Sequence, residues 1–387
     1  MTAVDAIRLE VASLRPLWTR GNWCYTDHMT RFRKAGLLAA LVPLLLVLSP
    51  VSPAQAAHVS CGSVITSNTV LHGNIGPCPA GGLRVTASNV TLDLNGHQVF
   101  GGPFPGDGTG VLLFRVSGVT VKNGTVHNFD MGVAIEGGSN NTVRSIVARD
   151  NIGTLGTNGG DGIAILSSTN NRIAGNVATN NGGLSGIGIY SNIDAQHPRT
   201  TSGVSSGNVI EGNSVTNNIA SRFGGVTTTD NDGIRVEPNS DGNFILSNNV
   251  VGNGLDGIVL FVGSDNNTIR GNVVKRNGLY RTTARRGNGI GLQSLPGVNG
   301  AAGNLIEGNV VTENGDNGIV LRGPRGGALG AVNNIVRNNV AVRNATLPIL
   351  GPAFGPAFDL NDDNPDCDNN VWQNNTYITV DPPCAAG

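Results

Sequence analysis

The sequence predicts an all-β chain wound as a parallel β-solenoid of roughly ten coils, and three observations predict it. The pattern N-x-[IV]-x-x-N-x-[VA]-x-x-N recurs from Asn171, Asn208, Asn243, Asn267, Asn304 and Asn334, with weaker copies at Asn141 and Asn370. A second element, a small polar residue followed by Gly-Ile, follows six of these copies: "DGIAIL" from Asp161, "SGIGIY" from Ser185, "DGIRVE" from Asp232, "DGIVLF" from Asp256, "NGIGLQ" from Asn288 and "NGIVLR" from Asn317. Successive copies start 30, 37, 35, 24, 37, 30 and 36 residues apart, yet the five-residue step inside the pattern never changes. All the length variation flanks the Gly-Ile element. Each repeat is therefore three short strands with one fixed corner and two variable ones, which is one coil of a stacked solenoid.

Composition agrees with that class. Glycine is high at 57 residues and charge low at 13%, but Gly does not fall at every third position, which excludes a collagen-like chain. Regularly placed Ile, Val and Leu exclude disorder. A net charge of −1 gives no general attraction to nucleic acid or membrane.

The N-terminus reads as processing signals. Residues 1–28 are expected to be an over-extended start, with Met29 the true first residue. Residues 29–56 form a signal peptide: Arg31, Arg33 and Lys34 precede an apolar run at 35–48, and "AQA" at 54–56 supplies the small residues of a cleavage site. An uncleaved anchor is disfavoured because the run is short and broken by Pro43. The expected product is secreted or extracytoplasmic, a monomer, with no membrane attachment after cleavage. Residues 57–82 are expected to cap the N-terminal end, 83–366 to form the solenoid and 367–387 to cap the other end. Four cysteines lie beyond the signal; local pairing, Cys61 with Cys78 and Cys367 with Cys384, would staple both ends in an oxidising compartment.

Within a coil, alternate residues point inward, so Ile163 and Ile165, or Ile258 and Leu260, fill the interior. The Asn of the fixed corner (Asn176, Asn213, Asn248, Asn272, Asn309, Asn339) sits where the chain bends. Asn tolerates left-handed backbone, and its amide both donates and accepts. Stacked copies can therefore form an Asn ladder. The N-x-T at Asn123 is read as structural too.

These residues give the chain a resemblance to right-handed parallel β-helix proteins of the pectin-lyase-like superfamily, whose repeats also occur in NosD-type periplasmic proteins. "NVTLDLNGHQVFG" (89–101) resembles an opening coil of such proteins and "FDLNDDNPDCDNNVWQNN" (358–375) a closing one. The resemblance implies a right-handed, single-stranded β-helix with the Gly-Ile strands as its first sheet. It also implies that the fixed Asn corner lies between the second and third sheets, and that any glycan lies along the outer face of the first.

On that face the outward residues include Glu136, Ala164, Tyr190, Arg235, Glu237, Val259, Phe261, Gln293 and Arg322. Asp232 and Asp256 fall in consecutive coils, about 5 Å apart, where paired carboxylates could perform acid–base work or hold Ca²⁺. They belong to an Asp/Asn column with Asp161, Asn288 and Asn317. The segment "KRNGLYRTTARR" (275–286) carries five cations and no acid, suiting an acidic polysaccharide. Asp232, Arg235, Glu237 and Asp256 are the candidate catalytic residues; Tyr190, Phe261, Tyr280, Arg281, Gln293 and Arg322 are the candidate substrate contacts. Loops 152–160, 219–231 and 278–287 would wall a notch over the Asp256 coil. The expected partner is a polysaccharide or cell-wall glycan, acted on by a lyase or hydrolase. Polygalacturonase and pectate-lyase signatures are absent, which keeps a non-catalytic binding solenoid and a NosD-like accessory protein as alternatives. No cofactor is expected beyond Ca²⁺; the acidic run at Asp359, Asp363 and Asp366 is read as a solvated turn, since it lacks a complete calcium-loop pattern.

Overall fold

A computed structural model describes residues 59–102, 108–153, 159–191, 203–219, 231–279, 287–346 and 356–387. The segments expected as extension and signal peptide lie outside these, as do Tyr280, Arg281 and most of the three wall loops.

The chain coils into three parallel sheets. The first holds twelve strands, beginning with Val64–Ile65 and ending with Val380–Asp381. The Gly-Ile elements are its central strands, in register: Ile187, Ile234, Ile258, Ile290 and Ile319 stack directly on one another. The two halves of the Asn pattern form the second and third sheets, as with Arg172–Ala174 and Val177–Thr179. Two longer strands, Thr120–His127 and Thr142–Arg149, run through both of those sheets. Period-two alternation sends Ile163, Ile165, Ile173 and Ala178 into one shared interior, where they are fully buried with their counterparts in every coil. No coil could bury this face alone; the core exists only in the stack.

Asparagine lines all three corners rather than one. One file runs from Asn141 to Asn370 between the first and second sheets. The expected file, Asn176, Asn213, Asn248, Asn272, Asn309 and Asn339, continues to Asn375 between the second and third. A third runs from Asn151 to Asn344 and ends on Asp359. The bonding repeats at each rung. Asn248 donates its backbone N–H (2.8 Å) and side-chain amide (3.0 Å) to Oδ1 of Asn272, and the same amide reaches the Ile210 carbonyl at 2.9 Å. Corner backbone groups that no strand can satisfy are thus paired by the amide of the neighbouring coil.

One expectation needs correction. The ladder asparagines are not the left-handed residues. That conformation falls on the residue immediately before each: Gly175 (φ 61°), Gly212 (φ 60°), Ser247 (φ 53°) and Asn338 (φ 56°) in the second file. Gly and Asn dominate those positions because they carry the least penalty there. The glycine of each Gly-Ile element has a different cause. A Cβ on Gly257 would lie 2.7 Å from the Asn277 amide and 2.3 Å from a Val274 methyl. The third ladder occupies the space a side chain would need.

Both expected disulfides form, Cys61–Cys78 and Cys367–Cys384. The terminal acidic run is not uniformly solvated: Asp363 and Asp366 are exposed, but Asp359 is buried. Asp359 accepts hydrogen bonds from Asn344 and from the N–H groups of Ile378 and Thr379. Among the described residues no group of three His, Cys, Asp or Glu is placed to hold a metal ion.

Candidate functional site

The outer face of the first sheet is not a bare groove floor. In its early coils Met131, Ala134, Ala164, Leu166, Leu184 and Tyr190 make a second apolar cluster outside the main core. Beside it at Asp161, and across the following coils, lie buried charged residues: Asp161, Asp232, Arg235, Glu237 and Asp256 are all under 5% exposed.

The tightest constellation is built by "DGIAIL" and "SGIGIY". Asp161 precedes the strand Ile163–Leu166, and Ser185 opens the strand Ser185–Tyr190 beside it. Gly188 and Tyr190 both point outward. Because Gly188 has no side chain, the Tyr190 ring folds back along its own strand; a Cβ on Gly188 would sit 2.3 Å from the hydroxyl. The hydroxyl thereby reaches both Asp161 oxygens at 3.0 Å, and Ser185 Oγ donates to Asp161 Oδ1 at 2.6 Å. Burial pushes the Asp161 carboxyl up to about 7, against the opposing pull of these hydrogen bonds and of Arg235. Burial, then the Asp161 charge, holds the Tyr190 phenol well above its usual value. A carboxyl poised near neutrality and bonded to a phenol can exchange a proton with a bound substrate.

Arg235 is committed elsewhere. Its Nη1 lies 3.0 Å from Asp232 Oδ2, its Nε pairs with Glu237 Oε1, and its guanidinium stacks 4.1 Å above the Phe261 ring. Four expected site residues are therefore together, but with the one cation spent on two carboxylates rather than presented to substrate. Asp232 and Asp256 are in consecutive coils as expected, yet they do not form an opposed acid–base pair. Asp232 Oδ1 accepts the Asp256 N–H at 3.0 Å. The Asp256 carboxylate turns to the next coil, to Asn288 (2.6 Å from the N–H, 2.9 Å from the amide) and Gln293 (3.2 Å). This column is a shorter ladder made partly of carboxylates. Burial pushes Asp256 up to about 6. Arg322 lies further along, bonded to Asp363 at 2.9 Å with Asp316 at 3.8 Å.

Sequence reading placed Asp161 in this column without singling it out, and missed Ser185. The available signal was Gly188, the one outward glycine directly followed, two residues on, by an aromatic.

A family model described as "Right handed beta helix region" matches residues 60–340. The chain belongs to this family. Solved structures that resemble the β-helix include the Dettilon tailspike protein, at 17% identity and TM-score 0.50, covering 81% of this chain and 53% of the tailspike. An alginate lyase from Paenibacillus matches at 14% identity and TM-score 0.50, over 84% of this chain and 99% of the lyase. The pectate lyase Pel9A matches at 14% identity and TM-score 0.49, over 84% and 79%. At these identities the likeness is one of fold. No curated protein sequence matches the chain.

Proposed function

We propose that this β-helix is an exported carbohydrate-active protein that works on an acidic polysaccharide at the outer face of its first sheet. The observation that carries the reading is the Asp161–Ser185–Tyr190 constellation: a buried carboxyl near neutrality, bonded to a phenol, on that face. Support for the glycan comes from fold relatives whose names include an alginate lyase and from the cationic run at 275–286, which includes Tyr280 and Arg281.

The chemistry is β-elimination on a uronate. The Asp161–Tyr190 pair accepts the proton on the carbon next to the sugar carboxylate. The bond to the glycosidic oxygen breaks, that oxygen takes up a proton, and the ring is left unsaturated. No co-reactant is required. Arg235 acts through its field on Asp161 and Tyr190, not by contacting substrate, with Asp232, Glu237 and Phe261 holding it in place. Gln293 and Arg322 extend the face toward the C-terminal coils. Two terminal disulfides and the signal-like residues 29–56 support export.

The burial of the charged group favours a second reading, a binding solenoid in which the network only stiffens the face. One experiment separates them. The mature protein is incubated with polyuronates, and unsaturated product is followed by its absorbance. Product that disappears in Tyr190→Phe and Asp161→Asn, with both variants still folded by circular dichroism at the assay temperature and pH, supports catalysis. Binding without product, indifferent to both substitutions, supports the second reading and removes the proposed pair.

A further inference from the structure

A second surface, at the corner between the second and third sheets, carries its own recognition chemistry. A groove of about 670 Å³ runs along it, parallel to the solenoid axis. Its floor is made by the left-handed corner residues. At Gly175 and Gly212 a Cβ would meet nothing within 4 Å, so the backbone is uncovered over consecutive coils. Its sides are the outward residues of the second sheet. Arg144, Ala174, Glu211, Leu246 and Arg270 stack in that order, one per coil.

The charges there are unequally spent. Glu211 is neutralised by Arg172. Arg144 and Arg270 form no ion pair among the described residues, and they stand at the two ends of the groove, four coil steps or about 19 Å apart. The strand that contributes Leu246 also turns Phe244 to the same outer side, where the ring is 42% exposed. Cations at both ends, an uncovered floor and an aromatic face on the flank suit a linear, negatively charged glycan. Its carboxylates meet the arginines, and one of its sugars packs its C–H face on the ring. The coil spacing is comparable to the advance of one sugar residue, so the polymer would lie along the axis.

From this groove we infer a second, non-catalytic binding site for an acidic polysaccharide on Arg144, Arg270 and Phe244. It does not depend on the Asp161–Tyr190 face being catalytic. It would hold the protein on a polymer whose cleavage or recognition occurs elsewhere on the solenoid.

The test uses fluorescein-labelled hexameric oligogalacturonate and anisotropy titrations of the mature protein, in the Tyr190→Phe background so that the probe is not consumed. The Arg144→Ala/Arg270→Ala double substitution is expected to weaken binding roughly tenfold at low salt, from the loss of two exposed ion contacts, and to flatten its salt dependence. Phe244→Ala is expected to weaken it at unchanged salt dependence. All three side chains are at least partly exposed, so circular dichroism should match the parent. Affinity unchanged in both variants, equal affinity for a neutral hexasaccharide, or no binding of the probe by the parent would each overturn the site.

Discussion

The ladder at the fixed corner makes a quantitative claim that Asn248→Ala can test. In the parent, Asn248 Oδ1 accepts the Asn213 N–H at 2.9 Å and the Asn213 amide at 3.0 Å, while its own amide serves the Ile210 carbonyl and Asn272 Oδ1. Alanine removes all four bonds. The Asn213 amide keeps the Ile173 carbonyl, and Asn272 Oδ1 keeps the Asn248 N–H, so those two groups are not orphaned. The Asn213 N–H loses its acceptor inside a fully buried corner. One orphaned donor plus the lost net bonds amounts to roughly 3 kcal/mol. Asn248→Asp should be worse, because a carboxylate cannot donate to Ile210 or Asn272 and brings an uncompensated charge into the corner. Asn338→Gly, at a left-handed position, should change stability by less than about 0.5 kcal/mol. Urea unfolding followed by circular dichroism measures all three, with the slopes compared because a stack of repeats need not unfold in one step. If Asn248→Ala costs less than about 0.5 kcal/mol, or Asp serves as well as Asn, the amides are not what closes the corners.

Four further outcomes are expected. Gly257→Ala drives a methyl into Val274 and the Asn277 amide and should destabilise by at least about 2 kcal/mol, read from the same urea curves. Reducing the two disulfides should let the terminal coils exchange amide hydrogens ahead of the centre, each bridge stabilising by about 3 kcal/mol; uniform exchange along the stack would contradict this. For Asp161, whose carboxyl is raised from 3.8 to about 7, the folded state holds the proton longer than the unfolded chain. Its contribution is therefore complete below about pH 4 and lost as pH rises toward 7, so melting temperature against pH should slope less steeply downward in Asp161→Asn across that window. His127 works oppositely: burial, then Arg149, lowers its value below 6.5, so stability falls as pH drops beneath 6.5, and His127→Gln should blunt that fall.

Much of the fold was legible because a stacked coil writes the same constraint many times. Position-by-position recurrence gave the sheets, the inward residues and the corners. It could not separate two uses of one residue type. Asparagine serves both as ladder rung and as left-handed residue, and in "RNN" (Arg337 to Asn339) the two stand side by side. The other two ladders were present in the pattern as constant asparagines. Only the middle one was read as a ladder because its corner never changes length. The site was harder. That Arg235 pairs with Glu237, two residues on and on the same side of the chain, could have been anticipated; its pairing with Asp232, three residues back on the opposite parity, could not. The Tyr190 hydroxyl reaching back to Asp161 could not, since it depends on a ring lying flat over Gly188 and on the preceding coil's register.

The asparagine files also have a direction. Every rung hands its amide hydrogens toward the C-terminal end, so that end should finish with an open donor ready for the Oδ1 of another molecule's first rung. A stack able to accept one more layer from a neighbour is the start of a fibre. In the third file the last acceptor is the Asp359 carboxylate, and its second oxygen is already taken by the main chain at Ile378 and Thr379, which crosses the end of the column. The third file is thereby closed by an aspartate that enters from the start of the strand Leu360–Asp362 rather than from the Asn pattern, and that has no amide hydrogen to pass on.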